Sequence, residues 1–416
     1  MDEKEIGFPL MYRIEQHFEA TSIKDIAECL RQEFARLEAR DKVQPGQNVA
    51  VAVGSRGIHD LVTIVATAVE CLRGMQLKPF IIPAMGSHGG ATSQGQAEVL
   101  YGMGITESAV GAPIVSNMDT ISLGRLDSGA EVFCAQDALE ADHLVVINRV
   151  KPHTVFRGEV ESGLCKMLAI GLGKKRGASN IHKFDLAQSI VPAALMILEK
   201  ASVLCGLAIV ENPSGGTHTI RLALPNEFVD VDRELLKEAW RLLPRIPLED
   251  LDILIIDEMG KNISGAGIDP NVIGFWRRGG GPRKPDYRTL IVLDLTPESH
   301  GNATGIGMAD LTTRRVIDKV DLQATYTNAI TSWVLRSALL PIALENDRNV
   351  LEAALNQVPD LQQVRMARIV STLELQTFWA TEALLSELRE QEEIIVGDRP
   401  LQLEFDTNGR LLPFPN

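Results

Sequence analysis

The sequence predicts an α/β protein of two α/β domains, with mainly parallel sheets and an active-site cleft between the domains. Three observations carry that reading. Apolar runs that end in glycine-rich loops alternate with amphipathic stretches from residue 48 onward. The same alternation restarts near residue 246, and 416 residues suffice for two ordinary cores. Strand, glycine loop and helix in repetition is the grammar of a parallel sheet.

The elements follow in order. Residues 22–40 read as an amphipathic helix capped by Ser22, with Ile26, Leu30, Phe34 and Leu37 at helical spacing. Pro45-Gly46 breaks the chain, and Asn48 to Val53 is a short apolar run opening into Gly54-Ser55-Arg56-Gly57. A helix over 60–72 leads to a strand over 79–83, then Gly86-Ser87-His88-Gly89-Gly90 and a helix over 93–101. A strand over 143–148 ends at Lys151-Pro152-His153, and a helix over 186–201 should kink or restart at Pro192. Another short strand falls at 207–210. Pro244 to Pro247 marks the boundary between a domain of residues 1–245 and one of 246–399. In the second, 251–257 and 287–295 read as strands, and 371–393 as a long acidic helix. The tail pairs 401–405 with 410–414 around Thr407-Asn408-Gly409. That 400–416 tail is a candidate to pack back on the first domain.

Composition narrows the function. Formal charge is −14, from 55 acidic and 41 basic residues, which argues against nucleic acid as a partner because phosphates require a basic surface. The five cysteines are scattered without a Cys-x-x-Cys pair, so a thiolate zinc or iron–sulfur site is not expected. No apolar run approaches the ~20 residues that span a bilayer, and the charged start lacks the apolar core of a signal peptide. A cytoplasmic setting without a membrane partner is the expectation.

Three histidines and a lysine stand out between residues 86 and 182: His88, His153, Lys166 and His182. Imidazole exchanges protons or binds metal near neutral pH, and a lysine amine can carry a covalent group. In parallel sheets, ligands sit beyond the carboxyl ends of the strands. Arg56, His88 and His153 each follow a predicted strand, so three loops of one sheet would set them around one crevice. His88 and His153 are then candidates for an alternating acid and base. Read from residues alone, Lys166 is open between a carboxylate-binding cation, a Schiff-base former and a tether, and a lone His182 does not make a metal site. Gly171 to Gly177 matches neither common nucleotide loop and reads as a solvated basic turn, with phosphate contact as the alternative.

In order and interval, Arg56, His88, Pro152-His153, Ser162-Gly163-Leu164-Cys165-Lys166 and His182 resemble the motifs of the nickel-dependent lactate racemase family, with its related 2-hydroxyacid racemases and epimerases. The resemblance runs from Asn48 to about His182. It implies a nickel-pincer nucleotide attached covalently at Lys166, with His182 as nickel ligand and Ser55 among the cofactor-binding residues. It implies His88 and His153 as the catalytic pair, and Arg56 as the group for the substrate carboxylate. Lys261, beside Glu258 and Asn262, stands in for substrate contacts from the second domain. The implied reaction is reversible hydride and proton transfer on a small 2-hydroxy acid through a 2-ketoacid. The implied partners are proteins that make and insert the cofactor. This chain departs from the family in having Val53-Gly54-Ser55 before Arg56, and Glu159 and Glu161 before Lys166, which leaves the hydroxyacid open. Other readings are a lyase or isomerase acting on an acidic substrate without this cofactor, and a nucleotide- or metal-binding protein that does not catalyse.

Overall fold

A computed structural model describes residues 7–38, 43–55 and 57–414; Arg56 lies outside the described residues. Contacts divide the chain into two units, one of residues 19–243 and one formed by the described residues up to Phe18 together with those from Pro244 onward. The strand β1 (Met11–Gln16) therefore belongs with the second unit, not with the domain of 1–245 to which sequence assigns it.

The first unit is built on β2 (Asn48–Val53), β3 (Lys78–Pro83), β6 (His143–Arg149), β7 (Val203–Glu211) and β8 (Thr217–Ala223), with β4 (Thr120–Arg125) and β5 (Glu131–Ala135) as a separate antiparallel ribbon. The sheet order is β3-β2-β6-β7-β8, parallel except for the last pair. Both faces are covered, which is why β2 is apolar at every position after Asn48. Val49, Val51 and Val53 join a core with the helices Ile26–Glu38 and Leu61–Gly74. Ala50 and Ala52 face the other core, with the helices Leu186–Lys200 and Phe228–Leu242. The strand order sets the loops after β3, β2 and β6 side by side at the carboxyl end of the sheet.

Two local expectations change. The first helix begins at Ile26, and its cap is Asp25, whose carboxylate accepts from the Glu28 N–H at 2.9 Å, so Ser22 lies outside it. Leu186–Lys200 runs on through Pro192 as one helix. Pro192 stands seven residues in, where it removes one backbone bond but leaves both flanking turns packed on Ile190, Ala193 and Ala194.

The second unit holds β9 (Asp250–Met259), β10 (Asp286–Leu295), β11 (Leu311–Thr313), β12 (Ile342–Leu344), β13 (Met366–Ile369), β14 (Thr377–Thr381) and β15 (Ile394–Leu401). With β1 they form one sheet, ordered β12-β11-β10-β9-β13-β14-β1-β15, parallel from β12 to β13 and antiparallel beyond. The long acidic helix expected over 371–393 is absent. Thr377-Phe378-Trp379-Ala380-Thr381 is a strand, and only Leu385–Arg389 after it is α-helical. Aromatic and β-branched residues suit a pleated, doubly buried position, and pairing with β1 and β13 overrides the glutamates around them. The tail also differs. Leu403, Leu411 and Phe414 are buried with Ile253 and Ile255 of this unit, not on the first. Its ladder reduces to a bridge between Phe405 and Leu411. No helix among the described residues is long and apolar enough to cross a membrane.

Candidate active site

The loop after β6 carries His153 and is closed by its own polar side chains. Ser162 Oγ accepts from the Lys151 N–H and donates to the Lys151 carbonyl, both at 2.6 Å. The buried Glu161 carboxylate accepts from the His153 N–H at 2.7 Å and the Gly158 N–H at 3.4 Å. Arg157 donates to the His153 carbonyl at 2.7 Å and lies 4.7 Å over the Trp240 ring. Both backbone groups of His153 are therefore held. Its ring packs on Phe156, centroids 4.5 Å apart, and Nδ1 accepts the Val155 N–H at 3.1 Å. An acceptor nitrogen carries no proton, so the neutral imidazole here bears its proton on Nε2.

Lys166 ends a single helical turn, Leu164–Lys166, which continues as a π-helical turn over Met167–Gly171. Such turns are rare and often found at functional sites. The turn begins on a carboxylate supplied from far along the chain. Asp232, fully buried on the helix Phe228–Leu242, accepts from the Leu164 N–H at 2.9 Å and the Cys165 N–H at 2.8 Å. Gly163 is required for this, because a Cβ there would stand 2.1 Å from Asp232 Oδ1, and its φ is +87°. Asn148, on β6, donates to the Gly163 carbonyl at 2.6 Å. Burial pushes the Asp232 carboxyl up to about 7, with the Cys165 and Leu164 N–H groups opposing.

His182 caps the helix Lys174–Ile181, and its Nδ1 lies 2.6 Å from the Ala178 carbonyl oxygen. A carbonyl only accepts, so Nδ1 holds the proton and Nε2 presents its lone pair. Burial lowers its pKa, the Ala178 bond opposes this, and the Lys166 ammonium lowers it further. The same ammonium counters the burial that raises the Glu161 carboxyl. Lys166 thus stands within charge reach of both Glu161 and His182, and Glu161 binds the backbone of His153. Three of the predicted residues share one neighbourhood.

His88 is exposed on the loop after β3. That loop is tied to the turn after Lys166 by the Gly86 N–H, which donates to the Gly171 carbonyl at 3.1 Å. The amide of Gln96 donates to the Gly86 carbonyl at 2.9 Å and the His88 carbonyl at 3.4 Å. Behind it lies Lys174, whose ammonium donates to Pro83 O at 2.6 Å and Gln96 Oε1 at 3.2 Å. Lys174 is 1% exposed, against the solvated turn that sequence predicts for Gly171–Gly177. Its four-carbon stem reaches under the β3 loop, whereas Lys175 and Arg176 do face solvent. Burial lowers its pKa to about 8, with Asp137 and Cys134 opposing. Ser55 is half-buried at the carboxyl end of β2. Asp232, Glu161, Gln96 and Lys174 are the residues that sequence reasoning left without a specific role; of these Glu161 and Lys174 lay in stretches already singled out.

Residues 10–189 match the family model described as the lactate racemase N-terminal domain. The matched stretch spans β2, β3 and β6, and all of His88, His153, Lys166 and His182. The fold resembles that of the lactate racemase apoprotein from Thermoanaerobacterium thermosaccharolyticum, with a TM-score of 0.56 and 14% identity, over 85% of this chain and 93% of that one. At that identity the likeness speaks for fold alone. None of the curated proteins matches the sequence.

Beyond the matched stretch, Lys261 belongs to the second unit. Its ammonium donates to Gly265 O and Asn328 Oδ1, each at 2.7 Å, and its N–H to Ser299 Oγ at 2.9 Å. Nearby Asn262 accepts from Thr296 Oγ1 at 2.7 Å. Burial, with Glu374, Asp294 and Glu298 around it, raises the Glu258 carboxyl. Among the described residues no three His, Cys, Asp or Glu side chains form a metal site.

Proposed function

We propose that this chain is an isomerase, a racemase or epimerase of a small 2-hydroxy acid that works with a nickel-pincer nucleotide held at Lys166 and His182. The observation that carries this reading is the pairing, inside the matched domain, of Lys166 with a histidine whose Nδ1–H is committed to Ala178 O. Metal-binding histidines use one ring nitrogen while the other donates to a carbonyl or carboxylate, and His182 has that form. One imidazole would suffice where the group supplies the remaining donors itself. When bound, the group supplies a reversible hydride acceptor, chemistry that no side chain offers.

The chain's own residues bind the acid and move protons. Arg56 is the cation for the substrate carboxylate, and Ser55 would lie beside the cofactor. His88 and His153 exchange the hydroxyl proton, one removing it and the other returning it. Neutral His153 carries its proton on Nε2, the form that donates to an oxygen. To accept a proton at Nε2 it must give up the Val155 N–H and move its own proton to Nδ1. His88, on a loop at the surface, makes the first abstraction on this account.

The test is coexpression with proteins that make and insert the cofactor, followed by intact-protein mass measurement and a panel of chiral 2-hydroxy acids. The expected result is a mass gain that maps to Lys166, nickel retained through gel filtration, and interconversion of the enantiomers of at least one acid with the C2 hydrogen isotope kept. A cofactor-loaded sample without an adduct at Lys166 overturns the reading.

A further inference from the structure

We propose that the face formed by residues 322–342 is the surface through which two copies of this chain associate. Sixteen large apolar side chains are exposed among the described residues, and eight of them fall within this stretch of 21. The helix Leu322–Ser332 is turned the wrong way round for a solvated surface. It buries the small Thr325 and Ala329 and exposes Leu322, Tyr326 and Ile330, spaced four residues apart on one side. Trp333 follows at 72% exposure. It is the C-cap, with φ +55°, a left-handed conformation that disfavours a bulky side chain and that glycine or asparagine adopts cheaply. The fold accepts that strain to set an indole in solvent.

The surface continues through Leu339 to Ile342, which is 67% exposed on β12, the edge strand of the eight-stranded sheet. An uncovered apolar edge strand is a template for pairing with another chain. Exposed apolar patches on monomers reach about 300–600 Å², whereas each partner in a standard interface covers about 800 Å². Eight large side chains, each at least 44% exposed, stand within this one stretch of 21 residues.

Charge selects a second copy as the occupant. Between Leu322 and Leu344 the only charged residue is Arg336. A chain of net charge −14 repels its own copy over most of its surface, and an uncharged face is where two copies can meet without that cost. A two-fold pairing would set the apolar helix face of each copy on that of the other, with both β12 edges alongside.

The test is the molecular mass in solution of the full chain by light scattering and sedimentation equilibrium, from low to high micromolar. The expected mass is about twice 45.5 kDa. Ile330→Glu combined with Trp333→Glu should weaken association by at least ~30-fold, the loss a hot-spot side chain brings. Leu195→Glu, an equally solvent-facing leucine in the first unit, should leave it unchanged. Trp333→Gly separates interface from folding: it relieves the left-handed strain, so the melting temperature of the monomer should hold or rise while association weakens. A wild type that is monomeric throughout overturns the proposal, as do glutamate variants that associate like wild type. A monomer in which residues 322–342 are protected from hydrogen exchange assigns the face to another part of the same chain and overturns it too.

Discussion

His153 and His182 lie in one neighbourhood and are set by the backbone in opposite senses. At His153 a peptide N–H, that of Val155, donates to Nδ1, and the proton is left on Nε2. At His182 a peptide carbonyl, that of Ala178, accepts from Nδ1, and the lone pair is left on Nε2. The side chains are chemically identical, yet one offers a donor and the other a ligand. A single backbone contact decides which chemistry an imidazole performs, and no sequence motif records that contact.

The largest effects should come from removing the ligand side of the pair. Lys166→Ala should abolish the adduct mass. His182→Ala should reduce nickel retention by more than the ~10–100-fold that loss of a supporting partner costs. The wild type reports on acidity: burial, the largest cause and one that attachment at Lys166 would leave in place, holds the His182 pKa below the ordinary imidazole value. A depressed imidazole favours the folded state above the unfolded pKa, and that contribution is lost as pH falls through the folded pKa. Nickel should therefore stay bound through pH 6.5 and be released only at lower pH, with the release read by metal analysis across a pH series. Release centred at or above pH 6.5 would count against the buried, neutral His182.

On the other side of the comparison, His153→Gln and His88→Gln should each cost about 10²–10⁴ in turnover, the range for a lost acid or base. Neither should change the adduct mass. An adduct lost along with activity in His153→Gln would mean that the two histidines do not have separate tasks.

Asp232 is the next level down, since it acts through the turn that carries Lys166. Asp232→Asn sets an amide NH₂ against a backbone N–H and should cost about 1–3 kcal/mol in unfolding experiments. It should also change the pH dependence. The carboxyl is raised to about 7 in the fold and titrates near ~3.9 when unfolded. A raised carboxyl favours the folded state while protonated, so its contribution is whole below about 4 and is lost as pH climbs through about 7. Urea midpoints of the wild type should carry that decline, and those of Asp232→Asn should be flatter over the same window.

The part of this arrangement that was legible in the sequence is the part made by local pattern. The runs Asn48–Val53 and His143–Arg149 are apolar because both faces of the sheet are covered, and the loops that follow them carry Ser55 and His153. Asp232 was not legible, because it reaches Leu164 across 68 residues and nothing local to its helix points to the motif. Lys174 was misread because a lysine among basic residues is usually solvated, and only the loop folded over it removes it from water. The strand Thr377–Thr381 was lost for a similar reason. Its partners β1 and β13 lie at opposite ends of the second unit's chain or across a turn, while its flanking glutamates speak locally for a helix.

The smallest effect bears most directly on the comparison. A net backbone hydrogen bond contributes about 1 kcal/mol, enough to bias a tautomer by roughly fivefold. Nitrogen-15 spectra of the imidazoles above pH 7 should therefore show His182 mainly as the Nδ1–H form and His153 mainly as the Nε2–H form. Replacing Val155 by proline removes the N–H that faces His153 and should let its tautomers mix, while His182 keeps its form because Ala178 still accepts. Circular dichroism of that variant checks that the loop change is local. If His153 and His182 give the same tautomer in the wild type, the backbone contacts do not set their chemistry. The division into a proton-exchanging and a metal-facing histidine would then have to rest on something other than these two bonds.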